Sequence, residues 1–467
     1  MKKLFNLLQW AIVIALLIFA VRTLTRPVPP PHYRPDTWSS WNGFYALSFA
    51  GVSREKGTDY VTPHQLGAFL RMLREDGYES IRPEDALAFL EGRAPLPAKA
   101  VLLLFEGGRK DSFLAATPLL REFGQLATMC IPTSVTRRWG SFYLHDNDLQ
   151  KFLKDPHWNL ASMGHEAILD IPVASNRQGR FLSQRLWTQG RIEDDRAFRS
   201  RLASDFAAAA QILERIGHTN VISYLFPYAD AGTAAGSDPL AAEIIEDSVS
   251  AHHRLAVARA DDAFNGPDTD PFQVSRLRVR SAWSADDLRR ELQNARPRAD
   301  GVDRVGGPDR WSLDGASADA DTLRVESGGT AWLQGSSAWV DQDVQARVRR
   351  SPGSTGILYA RFGGPSRTLR VTLSDDEIAL QERYGFRMQT LAAFPAGGSR
   401  TNEYDLKLRV RGNRVWLYNH GELLAGPVPL TPGTTHGRIG FECNGGRLEV
   451  TGFYAVPSPG TWVEAGA

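Results

Sequence analysis

Cysteine is scarce in this chain. Only Cys130 and Cys443 occur, far apart in 467 residues. Two such residues build neither a disulfide scaffold nor a cysteine zinc cluster. An excess of one charge is missing too. The formal net charge is +1, and no basic tract runs along the chain. That removes the electrostatic case for a nucleic-acid partner. Compositional extremes are absent, with 42% hydrophobic and 23% charged residues. The chain is therefore of an ordinary globular kind. Its length predicts two to three domains.

What is present begins at the N-terminus. Lys2 and Lys3 precede an apolar run over residues 4–21, followed by Arg22 and Arg26. About 18 residues is the lower edge for a membrane span. No small-x-small cleavage site occurs around Phe19-Ala20-Val21-Arg22, which favours an uncleaved anchor over a signal peptide. The lysines put the N-terminus on the cytoplasmic side. The expected location is the cell inner membrane, single-pass, with the globular part on the periplasmic side. Residues 1–26 are read as the anchor and 27–43 as a linker. Pro27, Pro29, Pro30, Pro31 and Pro35 make that linker a stiff extended spacer.

Over residues 44–297 strands alternate with helices. Phe44-Tyr45-Ala46-Leu47-Ser48-Phe49 reads as a strand. Thr62-Pro63 starts a helix with Leu66, Phe69, Leu70 and Leu73 on one stripe, and Gly77 stops it. A long helix is predicted over 194–216, and late strands at Leu255-Ala256-Val257 and Leu277-Arg278-Val279. This is α/β order with parallel strands. The most informative stretch is Val101-Leu102-Leu103-Leu104-Phe105-Glu106-Gly107-Gly108. It reads as a buried strand, then a tight turn carrying an acid. Sites in α/β sheets sit at that end of the strand.

Residues 298–309 are rich in Gly, Pro, Arg and Asp and read as a second linker. Residues 310–467 are all-β. Tyr404-Asp405-Leu406-Lys407-Leu408-Arg409-Val410 and Val415-Trp416-Leu417-Tyr418 alternate around the turn Arg411-Gly412-Asn413. Many such strands predict a two-sheet jelly-roll sandwich. The hairpin over residues 406–421 resembles those of laminin-G or concanavalin-like sandwiches, which serve as sugar binders, hydrolases or structural modules. Trp332, Trp339, Tyr359, Tyr384, Trp416 and Tyr418 are candidates for stacking on sugars, although half of such residues should face the core.

The α/β half resembles the polysaccharide deacetylases, the NodB homology domain of carbohydrate esterase family four. Five stretches carry this in order. They are residues 62–81, residues 96–112 around Phe105-Glu106-Gly107-Gly108, Ala127-Thr128-Met129-Cys130-Ile131-Pro132-Thr133, residues 158–165, and Phe226-Pro227-Tyr228-Ala229-Asp230. The resemblance implies a distorted (β/α) barrel. It also implies metal-assisted hydrolysis of an acetyl group on a sugar polymer. There, one Asp and two His hold a divalent cation, a second Asp is the general base, and a Tyr backbone N–H helps hold the oxyanion.

This chain departs from that pattern at each ligand. Glu106 stands at the base, Gly107 at the ligand Asp, and Met163 and Ala167 at the ligand His positions. Gly and Ala supply no ligand atom, and a thioether does not hold a hard cation. The family's metal is expected to be lost, and no cofactor is expected. Glu106, His165 and Tyr228 are the candidate catalytic residues. Glu166, Asp170, Pro227 and Asp230 are the candidate substrate-binding residues. Three readings stay open: a catalytically dead relative that grips a glycan, a glycan hydrolase using Glu106 with a second carboxylate, and a deacetylase with a metal site rebuilt from His165, Glu106 and Glu166. The expected partners are an exopolysaccharide or cell-wall glycan and other proteins of polysaccharide synthesis or export.

Overall fold

Six parallel strands form the heart of the first half. They are β1 (Phe44–Phe49), β2 (Ala100–Phe105), β3 (Ala127–Ile131), β4 (Trp158–Ser162), β5 (Ser223–Leu225) and β6 (Leu255–Arg259), and they lie side by side in chain order. The computed structural model describes residues 28–457, apart from 55–58, 139–141, 218–220, 233–235, 261–262, 268, 365–366, 385–386, 397–401 and 432–435. Every residue of β1, β2 and β3 is buried. Helices cover such strands on the outside and side chains fill the inside, so the sequence shows apolar runs rather than alternation. Phe49 stacks on Phe105 at 5.0 Å, and Phe105 meets Trp158 edge-on at 5.2 Å.

The sheet closes on itself near the end of this half. The chain pairs with β6 through Val274–Ser275 and then with β1 through Leu277–Arg278. Arg276 is the residue between the two pairings. Asn265, on a short strand antiparallel to β1, exchanges two 2.8 Å hydrogen bonds with the Ser275 backbone. Its side-chain amide thus replaces one step of the ladder. The helix Pro63–Glu75 starts as predicted: Thr62 and Gln65 form a reciprocal capping box. The Gln65 amide also reaches the Ser281 carbonyl at 2.7 Å, tying this helix to the closing segment.

The second half is one strongly bent antiparallel sheet whose two layers share a core. The strand Leu323–Leu333 makes the bend. Residues 323–326 pair with Arg447–Pro457, and residues 330–332 pair with Arg438–Asn444. Gly328 lies between them with φ +76°, a conformation that suits glycine. Leu358, Leu369 and Phe441 from one layer meet Val344, Leu406 and Leu408 from the other.

Two segments read as linkers are packed. Val302 exchanges backbone hydrogen bonds of 2.7 and 2.8 Å with Ala455, and Val302 and Val305 join the sandwich core. In the Pro-rich segment, the His32 N–H donates to the Gly124 carbonyl at 2.8 Å, and the Tyr33 hydroxyl donates to Asp85 at 2.8 Å. From His32 onward this segment lies on the barrel instead of standing free as a spacer. The expected anchor over residues 4–21 lies outside the described residues. Among the described residues, no helix is long and apolar enough to cross a membrane. Cys130 and Cys443 are both free and buried.

Candidate functional site

The strand β2 delivers Glu106 to the barrel mouth. The Glu106 N–H donates to the Phe49 carbonyl at 2.9 Å, which continues the β1–β2 ladder by one step. The chain then turns through Gly107 at φ +87° and Gly108 at φ +61°. Two successive left-handed residues explain the paired glycines. The Gly108 N–H donates to the Cys130 carbonyl at 3.0 Å, and its own carbonyl accepts from Leu144 at 2.9 Å. The turn is thereby tied to both neighbouring segments.

Arg276, at the closing seam, is 2% exposed. Its guanidinium meets the Glu106 carboxylate at 3.3 Å and donates to the Phe226 carbonyl at 3.3 Å. A buried cation therefore stands at the base of the mouth with the acid as its counter-charge. Beside it, the Gly107 N–H donates to the Met163 sulfur at 3.2 Å. The two positions expected from the sequence resemblance to stand at metal ligands thus face one another, and what they make is an N–H to sulfur contact. Ala167 packs in an apolar cluster with Phe198 and Tyr224. These three residues offer no hard donor, and the nearby carboxylate is engaged by an arginine. The site does not fit a hard divalent cation held by an Asp and two His. Among the described residues, no group of three His, Cys, Asp or Glu is placed to hold a metal ion.

A cavity of about 340 Å³ opens above this pair. Glu106, Gly107, Met163, Pro227, Tyr228 and Arg276 line it, together with Asp59, Tyr60, Arg109, Tyr143 and Arg278. The size is that of a small-molecule or single-sugar pocket. Arg109 is stacked between Tyr60 and Phe142, at 4.2 and 4.3 Å, and is ion-paired with Asp111. Tyr228 has φ +58° and is followed by Ala229 at φ +56°. This turn presents the Tyr228 ring at the rim, 56% exposed. Its hydroxyl donates to the Ile168 carbonyl at 3.1 Å, and Arg180 lies 3.7 Å over its ring.

Of the predicted site residues, the structure brings Glu106, Pro227 and Tyr228 together. The other four do not line this cavity. His165 shares a 2.8 Å hydrogen bond with the Thr133 hydroxyl. The backbone N–H groups of His165 and Glu166 donate to the Asp205 carboxylate, at 3.0 and 2.5 Å. These two residues therefore belong to a pinned loop, and Asp205 is the pin. Burial raises the Asp205 pKa to about 6, against the two hydrogen bonds that favour its charge. Asp170 is exposed on a hairpin and pairs with Arg180 at 3.2 Å. Asp230 is buried, accepts from Ser183 at 2.7 Å and from the Gly232 N–H at 3.2 Å, and has its pKa raised by burial. It braces the turn that carries Tyr228. Sequence reasoning passed over Arg276, Arg278, Tyr60 and Tyr143. One signal was available for the arginines: Arg276, Arg278 and Arg280 alternate with apolar residues along the closing segment.

No protein-family model matches the chain, and no curated protein matches its sequence. Solved structures do show likeness. A de-N-acetylase from Aggregatibacter actinomycetemcomitans is similar over 53% of this chain and 98% of its own, at 15% identity and a TM-score of 0.47. The deacetylase domain of BpsB from Bordetella bronchiseptica is similar over 52% of this chain and 98% of its own, at 20% identity and a TM-score of 0.43. The carbohydrate-binding module CBM66 from Bacillus subtilis is similar over 32% of this chain and 91% of its own, at 16% identity and a TM-score of 0.24.

Proposed function

We propose that this chain is a membrane-anchored, outward-facing glycan-handling protein with a deacetylase-like barrel that holds a polysaccharide without the metal-dependent reaction. The observation that carries this reading is the contact set at the barrel mouth. Arg276 neutralises Glu106, and the Gly107 amide is turned to the Met163 sulfur. The carboxylate at the position expected for a general base is engaged by a buried arginine. What the mouth retains is a binding surface. Tyr60, Tyr143 and Tyr228 supply aromatic faces, and arginines supply donors. Sugars are bound by such a mixture of stacking and hydrogen bonding.

Anchorage through residues 4–21 would place the barrel and sandwich outside the cytoplasm, beside a polymer under synthesis or export. Proteins of that machinery are the proposed partners. A second reading has one observation in its favour: Glu106 and Asp59 line the same cavity, and two carboxylates are what a glycosidase requires.

The test uses the detergent-solubilised full chain and Glu106→Gln. Acetylated and plain glycans are offered with and without chelator. Retention of glycan with no acetate release and no chain shortening is the expected result. Acetate release that chelator abolishes would overturn the proposal. Chain shortening that disappears in Glu106→Gln would replace it with the hydrolase reading.

A further inference from the structure

The barrel mouth is not the largest cavity. A cleft of about 690 Å³ lies between the two halves of the molecule. The closing segment over residues 277–283 forms one wall. Trp311, Ser312, Leu313 and Gln334 of the sandwich form the other. Asp59, Ala260 and Arg278 line both the cleft and the mouth. The two cavities are therefore neighbours along one trough.

Arginines mark its course. Successive side chains of an extended segment alternate in direction, so Arg276, Arg278 and Arg280 share one side. Arg276 lies at the mouth, Arg278 in both cavities, and Arg280 in the cleft. Arg278 and Arg280 are exposed. Neither makes an ion pair among the described residues; Arg280 lies 5.6 Å over the Trp283 ring. Of the two acids in the cleft, Asp59 and Glu291, burial raises the pKa of Glu291, and the nearby charge of Arg280 offsets part of that. On the opposite wall, the buried Gln334 Oε1 has no hydrogen-bond partner among the described residues.

We propose that this interdomain cleft is a second carbohydrate subsite, built by barrel and sandwich together, for the continuation of a polysaccharide chain that bears anionic groups. The inference rests on the glycan reading above and adds a place and a charge to it. The cleft's volume is within the range of ligand sites. Its exposed guanidinium groups suit carboxylate or phosphate substituents, which they grip in a planar, two-pronged fashion. The Trp283 ring, packed against the barrel core, supports the Arg280 guanidinium beside them. The sandwich then acts as one wall of a longer groove.

The experiment measures binding to the full chain by calorimetry. The probes are polyuronate oligosaccharides of two and eight residues, a sugar-phosphate oligomer of eight, and neutral N-acetylglucosamine oligomers of two and eight. The variants are Arg280→Gln on the barrel wall and Gln334→Glu on the sandwich wall. The expected result is that the long anionic oligomers bind about tenfold more tightly than the long neutral one, the loss of one charge-assisted contact being of that size. Each variant should remove most of that gain and leave the two-residue probes unchanged. The uronate and phosphate arms decide which anion is preferred. Equal binding of long neutral and long anionic chains, or variants that bind them as the parent does, would overturn the cleft assignment while leaving the mouth reading in place. Absence of binding by every probe, short ones included, would overturn both.

Discussion

Arg276 in the barrel and Arg361 in the sandwich are among the largest fully buried side chains of the described residues, and the two do different work. Arg361, in the sandwich, donates to the Val340 and Gly412 carbonyls, both at 2.7 Å, and meets Asp341 at 3.3 Å. These acceptors lie at strand ends and turns within the sandwich. Burial lowers the Arg361 pKa to about 10, and Asp341 offsets part of that. Arg276, in the barrel, has as its ionic partner a carboxylate that lines a cavity. The difference follows from strand direction. Antiparallel strands are joined by turns at both ends, so buried charge there staples turns. Parallel strands send their C-terminal ends to one rim, where polar groups lack ladder partners and face a common space. The same residue type is a staple in one region and the floor of a candidate site in the other.

The largest expected effect tests that contrast. Arg276→Met leaves the Glu106 carboxylate buried and unpaired, at a cost of about 3–5 kcal/mol in urea unfolding. Adding Glu106→Gln in the same chain should recover much of it, because the orphaned charge is gone. Arg361→Met should cost a similar amount, since it orphans two short carbonyl contacts. Asp341→Asn should recover little there, because those carbonyls stay unpaired. Equal recovery in the two pairs would mean that both arginines serve their acids alike, and the contrast would fail.

A smaller effect separates the regions by pH. His253, buried in the barrel, donates from Nδ1 to the Val221 carbonyl at 2.9 Å. Burial holds its pKa down at about 4 against the ordinary 6.5. The unfolded chain takes up that proton first, so the stability His253 contributes is present above 6.5 and is lost as pH falls toward 4. Asp205 has the opposite sign. Its raised pKa of about 6 lets the folded state take a proton first, so its contribution is full below about 3.8 and is lost as pH rises through 6. Each is worth at most about 3 kcal/mol across its window, and they offset one another. Asp205→Asn removes one of the two opposing slopes. It also leaves one N–H of the 165–166 loop without an acceptor, at about 1–2 kcal/mol. Urea unfolding at pH 7, 6, 5 and 4 should then show a steady decline toward acid that the parent lacks. A flat profile in the variant would mean that His253 is not the acid-sensitive group.

Much of this arrangement was legible in sequence, for different reasons in the two halves. In the sandwich, Glu403–Arg411 alternates buried and half-buried residues at each step, so period and face were both readable. In the barrel, β2 is buried throughout. Its apolar run reveals a strand but no face, and Glu106-Gly107-Gly108 at its end marked the candidate site. Arg276 was not legible, because it reaches Glu106 across 170 residues of chain and only barrel closure brings it there. Asp205 was hidden in the same manner, as one acid on a long helix stripe. His165 and Glu166 read as chemistry because they are polar residues beside a strand end. Their backbone, not their side chains, makes the contacts with Asp205. Proline content predicted an extended spacer in the N-terminal segment, but composition does not say whether such a segment stands free or lies on a surface, and Pro35–Thr37 forms a 3-10 turn.

The smallest expected effect lies where the halves meet. Arg367 of the sandwich pairs with Asp270 of the barrel at 2.8 Å, with side chains 29% and 22% exposed. Beside it, Arg259 donates to the Gly363 carbonyl at 3.3 Å and lies 5.5 Å over Phe362. A half-exposed ion pair is screened by water and salt and offset by side-chain entropy. Arg367→Ala should therefore cost less than about 1 kcal/mol in urea unfolding. High salt should reduce the parent's stability by the same small amount and change the variant little. A loss above about 2 kcal/mol would exceed what such a pair supplies. It would mean that each half depends on the other for its stability. The turn-stapled sandwich and the rim-bearing barrel would then have to be treated as one structure, with Arg276 and Arg361 in a single core.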